Sequence, residues 1–102
     1  LQLLMNWKDY GRLSPNEQHF IMHLTLWGKQ NFREGTPNIE RFAQQGSFHK
    51  EEAIRIADKF YNCGILEIRP RKIISEFNYD VIINGKIYGL TRKGLMIAGF
   101  CR

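Results

Sequence analysis

Cysteine and proline are scarce, with two and three residues respectively in a chain of 102. Cys63 and Cys101 stand far apart, so neither a zinc knuckle nor a redox Cys-x-x-Cys is present. Two thiols in a chain able to bury its own core point to a reducing cytoplasm. Cys63, next to Gly64, is expected as a small packed side chain. Long apolar runs are missing too: none approaches the roughly 18 residues of a membrane span. Leu1-Gln2-Leu3-Leu4-Met5 is too short for a signal-peptide core and has no basic stretch before it. The first residue is Leu1, not Met, which fits a piece excised from something longer. There are no repeats and no low-complexity tracts. The chain also lacks a nucleophile with a base at motif spacing, a glycine-rich phosphate loop after a strand, and a metal-ligand cluster. An enzyme is therefore not expected, nor a cofactor or a metal.

What is present is ordinary for a folded domain. Hydrophobic residues make up 43% and charged residues 25%, which excludes a disordered tail, a collagen-like repeat and a coiled coil. The length fits one domain around one core. Charge is unevenly placed within a net +5. Residues 1–64 carry eight Lys/Arg against seven Asp/Glu, whereas residues 65–102 carry seven against three. A basic C-terminal third suggests a face built for a polyanion; ordinary solubility charge accounts for it equally well.

Ser14-Pro15-Asn16-Glu17 has the form of a helix start. Ser14 can accept from the Glu17 N–H, Glu17 can reach back, and Pro15 sits where its missing donor costs nothing. Phe20, Ile21, Leu24 and Trp27 then recur at helical spacing, which predicts a helix from about Pro15 to Gln30. Thr36-Pro37-Asn38 opens a second, shorter helix with Ile39, Phe42 and Ala43 on one face, ending at Gln45-Gly46-Ser47. A third begins almost at once, with Phe48 outside it and His49 at or near its cap. Its buried face is Ala53, Ile56, Ala57 and Phe60, and Asn62-Cys63-Gly64 ends it. Two helices joined by so short a turn form a helix-turn-helix signature.

After Gly64 the alphabet changes. Leu66-Glu67-Ile68-Arg69 alternates until Pro70, as on an edge strand. Phe77, Tyr79, Val81 and Ile83 alternate again, Asn84-Gly85 is a strong hairpin signal, and Lys86 to Leu90 returns. Thr91 caps a last helix with Leu95, Met96 and Phe100 expected inside and with Gly94 and Gly99 weakening it.

This order resembles a winged helix-turn-helix domain, and local runs carry the likeness. Phe42-Ala43-Gln44-Gln45-Gly46-Ser47-Phe48 resembles the family's turn, Phe60 to Leu66 resembles its anchor followed by Gly and an apolar pair, and Tyr88-Gly89-Leu90-Thr91-Arg92-Lys93-Gly94 is similar to the wing close of MarR- and PadR-type transcriptional regulators. The turn departs in having Gly46-Ser47 in place of a branched aliphatic residue and then Gly. The stretch from Leu66 to Leu90 exceeds a minimal wing, so either three strands or an oversized wing is expected. The resemblance implies an α+β winged-helix domain over 1–102: an N-terminal apolar segment (1–13), a helical core (14–64), a wing (65–91) and a C-terminal helix (92–102).

It also implies sequence-specific binding of double-stranded DNA by a prokaryotic, phage or plasmid transcriptional regulator. The alternatives are a protein-interaction or assembly module, since fold does not fix function, and the DNA-contacting part of a replication initiator. The third helix would enter the major groove with His49, Lys50, Glu51, Ile54, Arg55 and Lys59, Arg55 being suited to a bidentate contact with guanine. Arg69, Arg71 and Lys72, extended by Lys86, Arg92 and Lys93, would lie on phosphates or in the minor groove. The bland account is a solvated helix face and a strand edge protected by charge. His19 and His23 are four residues apart, a metal-compatible spacing that lacks a third ligand. Trp7, Phe20, Trp27, Phe42, Phe48, Phe60, Phe77, Tyr79 and Tyr88 are expected mostly in the core. Leu1, Leu3, Leu4 and Trp7 would pack on the domain's own back or on a second copy as a homodimer.

Overall fold

The computed structural model describes residues 12–31, 35–70 and 79–99. In chain order the elements are α1 (Pro15–Asn31), α2 (Ile39–Gly46), α3 (Lys50–Asn62), β1 (Leu66–Arg69), β2 (Asp80–Ile83), β3 (Lys86–Leu90) and α4 (Arg92–Ile97). The result is an α+β fold of four helices and a three-stranded antiparallel sheet among the described residues.

Three of the four helices start on a side-chain cap; His49, before α3, makes none. The Ser14 N–H donates to Glu17 Oε1 at 3.0 Å and the Glu17 N–H donates to Ser14 Oγ at 3.2 Å, a reciprocal capping box. Asn38 Oδ1 accepts from the Arg41 N–H at 2.8 Å to start α2, and Thr91 Oγ1 accepts from the Gly94 N–H at 3.0 Å to start α4. Helices α2 and α3 end alike. The Phe48 N–H reaches Ala43 O and the Ser47 N–H reaches Gln44 O; likewise the Ile65 N–H reaches Phe60 O and the Gly64 N–H reaches Tyr61 O. Both are Schellman motifs, which need a left-handed residue. Gly64 supplies it at φ 84° and Ser47 at φ 61°. The glycine of the first turn is needed for space instead, because a Cβ on Gly46 would lie 2.7 Å from Phe48 Cε2 and 2.9 Å from His23 Cδ2.

The three helices bury Phe20, Ile21, Leu24, Phe42, Ala53, Ile56, Ala57 and Phe60 against Leu66, Val81, Ile83 and Leu90 of the sheet. Phe20 stands at the centre, its ring 4.9 Å from Phe42 and 5.6 Å from Phe60. Trp27 is buried; Phe48, Tyr79 and Tyr88 pack half-buried on the core. Trp7, Phe77, Phe100 and the rest of the Leu1–Trp7 cluster lie outside the described residues.

The strand order is β1-β3-β2, with Leu66 opposite Leu90, Ile68 opposite Tyr88, and Val81 also opposite Tyr88. Of the two sequence-based expectations for the long segment, three strands are present. Asn84 at φ 51° and Gly85 at φ 78° form the β2–β3 turn, as a type I′ turn requires. β1 is an edge strand ending before Pro70. The sheet is tied to the start of α2 by a bridge between Asn38 and Ile82, with the Ile82 N–H donating to Pro37 O.

Two expectations need correction. Cys63 is exposed, because the residue that closes α3 already points off the buried stripe. In α4 the buried residues are Gly94 and Ile97, with Leu95 half-buried on the core and Met96 off it. Gly94 does more than weaken that helix: a Cβ there would lie 2.5 Å from Ile65 O and 2.7 Å from Leu90 Cδ2. Only glycine lets α4 seat on the sheet.

Candidate nucleic-acid interface

Helix α3 is divided lengthwise. Ala53, Ile56, Ala57 and Phe60 are at most 1% exposed, and Lys50, Glu51, Arg55, Asp58 and Lys59 are exposed on the other side, with His49 at the cap position. Ile54 was expected among the outer residues, yet it is half-buried and packs on the core. Its position next to Ala53 and one turn before Ala57 puts it on the shoulder of the buried stripe.

The three cations of α3 are all paired. Lys50 Nζ lies 2.8 Å from Glu40 Oε2, across the turn on α2. Arg55 holds Glu52 with both arms of its fork, Nε to Oε1 at 3.1 Å and Nη2 to Oε2 at 2.7 Å. Lys59 Nζ donates to Glu17 Oε2 at 2.7 Å. Glu17 is thereby shared between the cap of α1 and the flank of α3. Burial pushes its carboxyl up, but the Lys59 hydrogen bond, the Ser14 N–H and the charges of Lys59 and Arg55 together hold it below the ordinary value. The Lys50 hydrogen bond lowers the Glu40 carboxyl, and the Arg55 hydrogen bond lowers that of Glu52. With Glu51, Glu52 and Asp58 against Lys50, Arg55 and Lys59, the helix carries no net charge of its own.

The basic residues beyond α3 fall into separate places. Arg69 does not project from the sheet. Its guanidinium lies over Gly89, in the space a Cβ would take, and Nη2 donates to Leu90 O at 2.5 Å while Nε meets Glu67 at 3.3 Å. Strand alternation puts it on the face opposite Leu66, away from α3. Lys93 Nζ donates to Cys63 O at 2.7 Å, closing the C-terminal end of α3, where a cation is favoured by the exposed carbonyls. Arg92, at the start of α4, and Lys86, beside the hairpin turn, are exposed without an ion pair among the described residues. Arg71 and Lys72 lie outside the described residues. Lys50 and the Arg92–Lys93 pair thus stand at opposite ends of a helix about 18 Å long, with Arg55 between them.

The histidine pair of α1 lies against the α2–α3 turn, His19 exposed and His23 half-buried. His19 Nε2 is 2.7 Å from Gly46 O, and the two imidazoles stack at 6.2 Å. His23 sits 4.7 Å from the Phe42 ring, and its Nε2 is buried with no hydrogen-bond partner. Burial, then the charge of His19, lowers the His23 pKa against a smaller opposing pull from the Phe42 backbone. Among the described residues no three His, Cys, Asp or Glu are grouped to hold a metal ion, and no helix is long and apolar enough to cross a membrane.

The sequence pattern missed Glu40, the pairing of Glu17 with Lys59 and the capping role of Lys93. The Glu52–Arg55 pair is readable from its spacing of three on one helix. Glu40 with Lys50, Glu17 with Lys59 and Lys93 with Cys63 come together only through tertiary packing, and no local pattern announces them. No protein-family model, curated protein or solved structure matches the chain.

Proposed function

We propose that this chain is a winged-helix domain that binds duplex DNA, as a transcriptional regulator of a prokaryote, phage or plasmid. One observation carries this reading: α3 is anchored on one side by four core residues and locked to α2 by a three-residue turn, and its opposite side is exposed along its length. A rigid helix held clear of its own domain is what a major groove about 12 Å wide admits. The exposed cations Lys86 and Arg92 would add phosphate contacts beside the groove, and the +4 excess of residues 65–102 supports a polyanion partner. Arg55 is the residue for base edges, once it leaves Glu52.

Titration of random-sequence duplex at two or more salt concentrations tests this directly. Binding should weaken as salt rises, with a slope of log affinity on log salt near −0.9 for each phosphate neutralised. An absence of salt-dependent binding in both the wild type and variants that free its cations would sink the reading.

A second reading, a protein-interaction or assembly module, has its own support. The face of α3 is electrically balanced, and Tyr61 and Ile68 are exposed beside Tyr88, with the two tyrosine rings 5.9 Å apart. Aromatic and apolar residues next to a neutral helix suit a protein surface. A replication initiator's DNA-contacting part would behave like the first reading in the same titration.

A further inference from the structure

The three ion pairs of α3 are not equivalent. Glu17 is 5% exposed at its side chain and also caps α1, so the Lys59 pair is fastened into the fold. The other two are open to solvent. Lys50 and Glu40 are 47% and 62% exposed, and Arg55 and Glu52 are 58% and 29% exposed. Pairs of that kind shift an equilibrium by at most about fivefold, so a competing anion can take the cation at little cost. The Arg55 fork already engages two oxygens side by side, the arrangement it would use on a phosphate or on a guanine edge.

Resting on the DNA-binding reading, we infer that Glu40 and Glu52 are displaceable counterions of the α3 face. A duplex recruits Lys50 and Arg55 by taking them from these two carboxylates, and the carboxylates thereby set the affinity of the face. Glu17 and Lys59 stay together throughout. The two glutamates come from different helices, Glu40 from α2 and Glu52 from α3, so they act on different cations and can be removed one at a time. Each substitution frees one cation and removes one anion that would otherwise stand near the incoming phosphates.

The experiment compares Glu40→Gln, Glu52→Gln and the double variant with wild type on random-sequence duplex across a salt series. Asp58→Asn is the control, since it removes one negative charge from the same helix and releases no cation; Asp58 has no ion pair among the described residues. Melting curves close to wild type are expected for all, because the substituted side chains are exposed or half-exposed. Each glutamine variant should bind about two- to fivefold tighter at low salt, with a salt slope close to that of the wild type, because Lys50 and Arg55 make the same contacts in both complexes. Asp58→Asn should give a smaller gain with the wild-type slope. Should the wild type bind with a salt slope while both glutamine variants match Asp58→Asn in affinity, the inference is overturned and the DNA reading stands. Binding by the double variant alone would support both. No binding by either the wild type or the double variant would remove the DNA reading and the inference together.

Discussion

The cations of α3 and those of the sheet side are held in different ways. On α3, Lys50, Arg55 and Lys59 each rest against a carboxylate within 3 Å. On the sheet side, Lys86 and Arg92 stand exposed without such a partner among the described residues, Lys93 donates to the main-chain oxygen of Cys63, and Arg69 divides its donors between Leu90 O and a longer contact to Glu67 at 3.3 Å. The lesson is that a cation in the sequence is not thereby a cation held out to solvent. Arg69 begins the densest basic run in the chain, yet it packs over Gly89 with only 21% of its side chain exposed. Among the described residues of the sheet side, the isolated Lys86 and Arg92 are exposed.

The helical and sheet regions also depend on different packing, and the largest predicted effects test that. Phe60→Ala would empty a fully buried site in contact with Phe20 and should cost about 3–5 kcal/mol, read from chemical denaturation. Stability like that of the wild type would mean that α3 is rotated from the register given above. On the sheet side the sensitive change is an addition. Gly94→Ala forces a methyl against Ile65 O and Leu90 Cδ2, and overpacking of this kind should cost about 1–3 kcal/mol. A neutral result would show that α4 seats otherwise.

The charge contrast itself is sharpened by binding. Lys86→Ala and Arg92→Ala should each reduce the salt slope on random duplex by roughly 0.9, with stability unchanged. Arg69→Ala should leave that slope alone and lower the melting temperature, since it strips a packed guanidinium from the sheet. The opposite pattern would make Arg69 the phosphate clamp and break the comparison.

The smallest effect is a pH dependence inside the helical region. His23 has its pKa lowered from 6.5 by burial and by His19. Unfolded chains therefore take up the proton before folded ones do, and stability is fullest above the unfolded value. It declines as pH falls from about 6.5 toward the folded value, and levels off once both states are protonated. Denaturation midpoints for wild type and His23→Gln should converge or cross in that window; parallel curves would remove His23 as the cause.

Much of the helical region was legible because its determinants are neighbours in sequence. Ser14 with Glu17, and Ala53, Ile56, Ala57 and Phe60 along one stripe, need only the period of a helix. Asn84-Gly85 announced its turn for the same local reason. Where the outcome depended on distant chain, the pattern fell short. Nothing near Lys50 marks Glu40 as its partner, nothing near Arg69 marks Gly89 as its bed, and Gly94 looked like a weakness until Ile65 O was in view. For the candidate site, residue types and the outward face of α3 could be read, whereas the state of each cation could not.

The strand order carries a consequence for how the chain folds. β3 lies between β1 and β2, yet it is the last of the three to be synthesised. Until residues 86–90 exist, β1 has no neighbour to pair with, and Leu66 must wait for Leu90. Closing that intervening stretch costs chain entropy before any ladder bond returns it, whereas α1, α2 and α3 can form from contacts already made. The β2–β3 hairpin can form through its own two-residue turn, so the late step of the sheet should be β1 joining β3. Pulse-labelled hydrogen exchange during refolding would then find the Thr91 N–H, bonded to Ile65 O, protected after the amides of α3, and β1 spending the interval as an unpaired strand open to other chains.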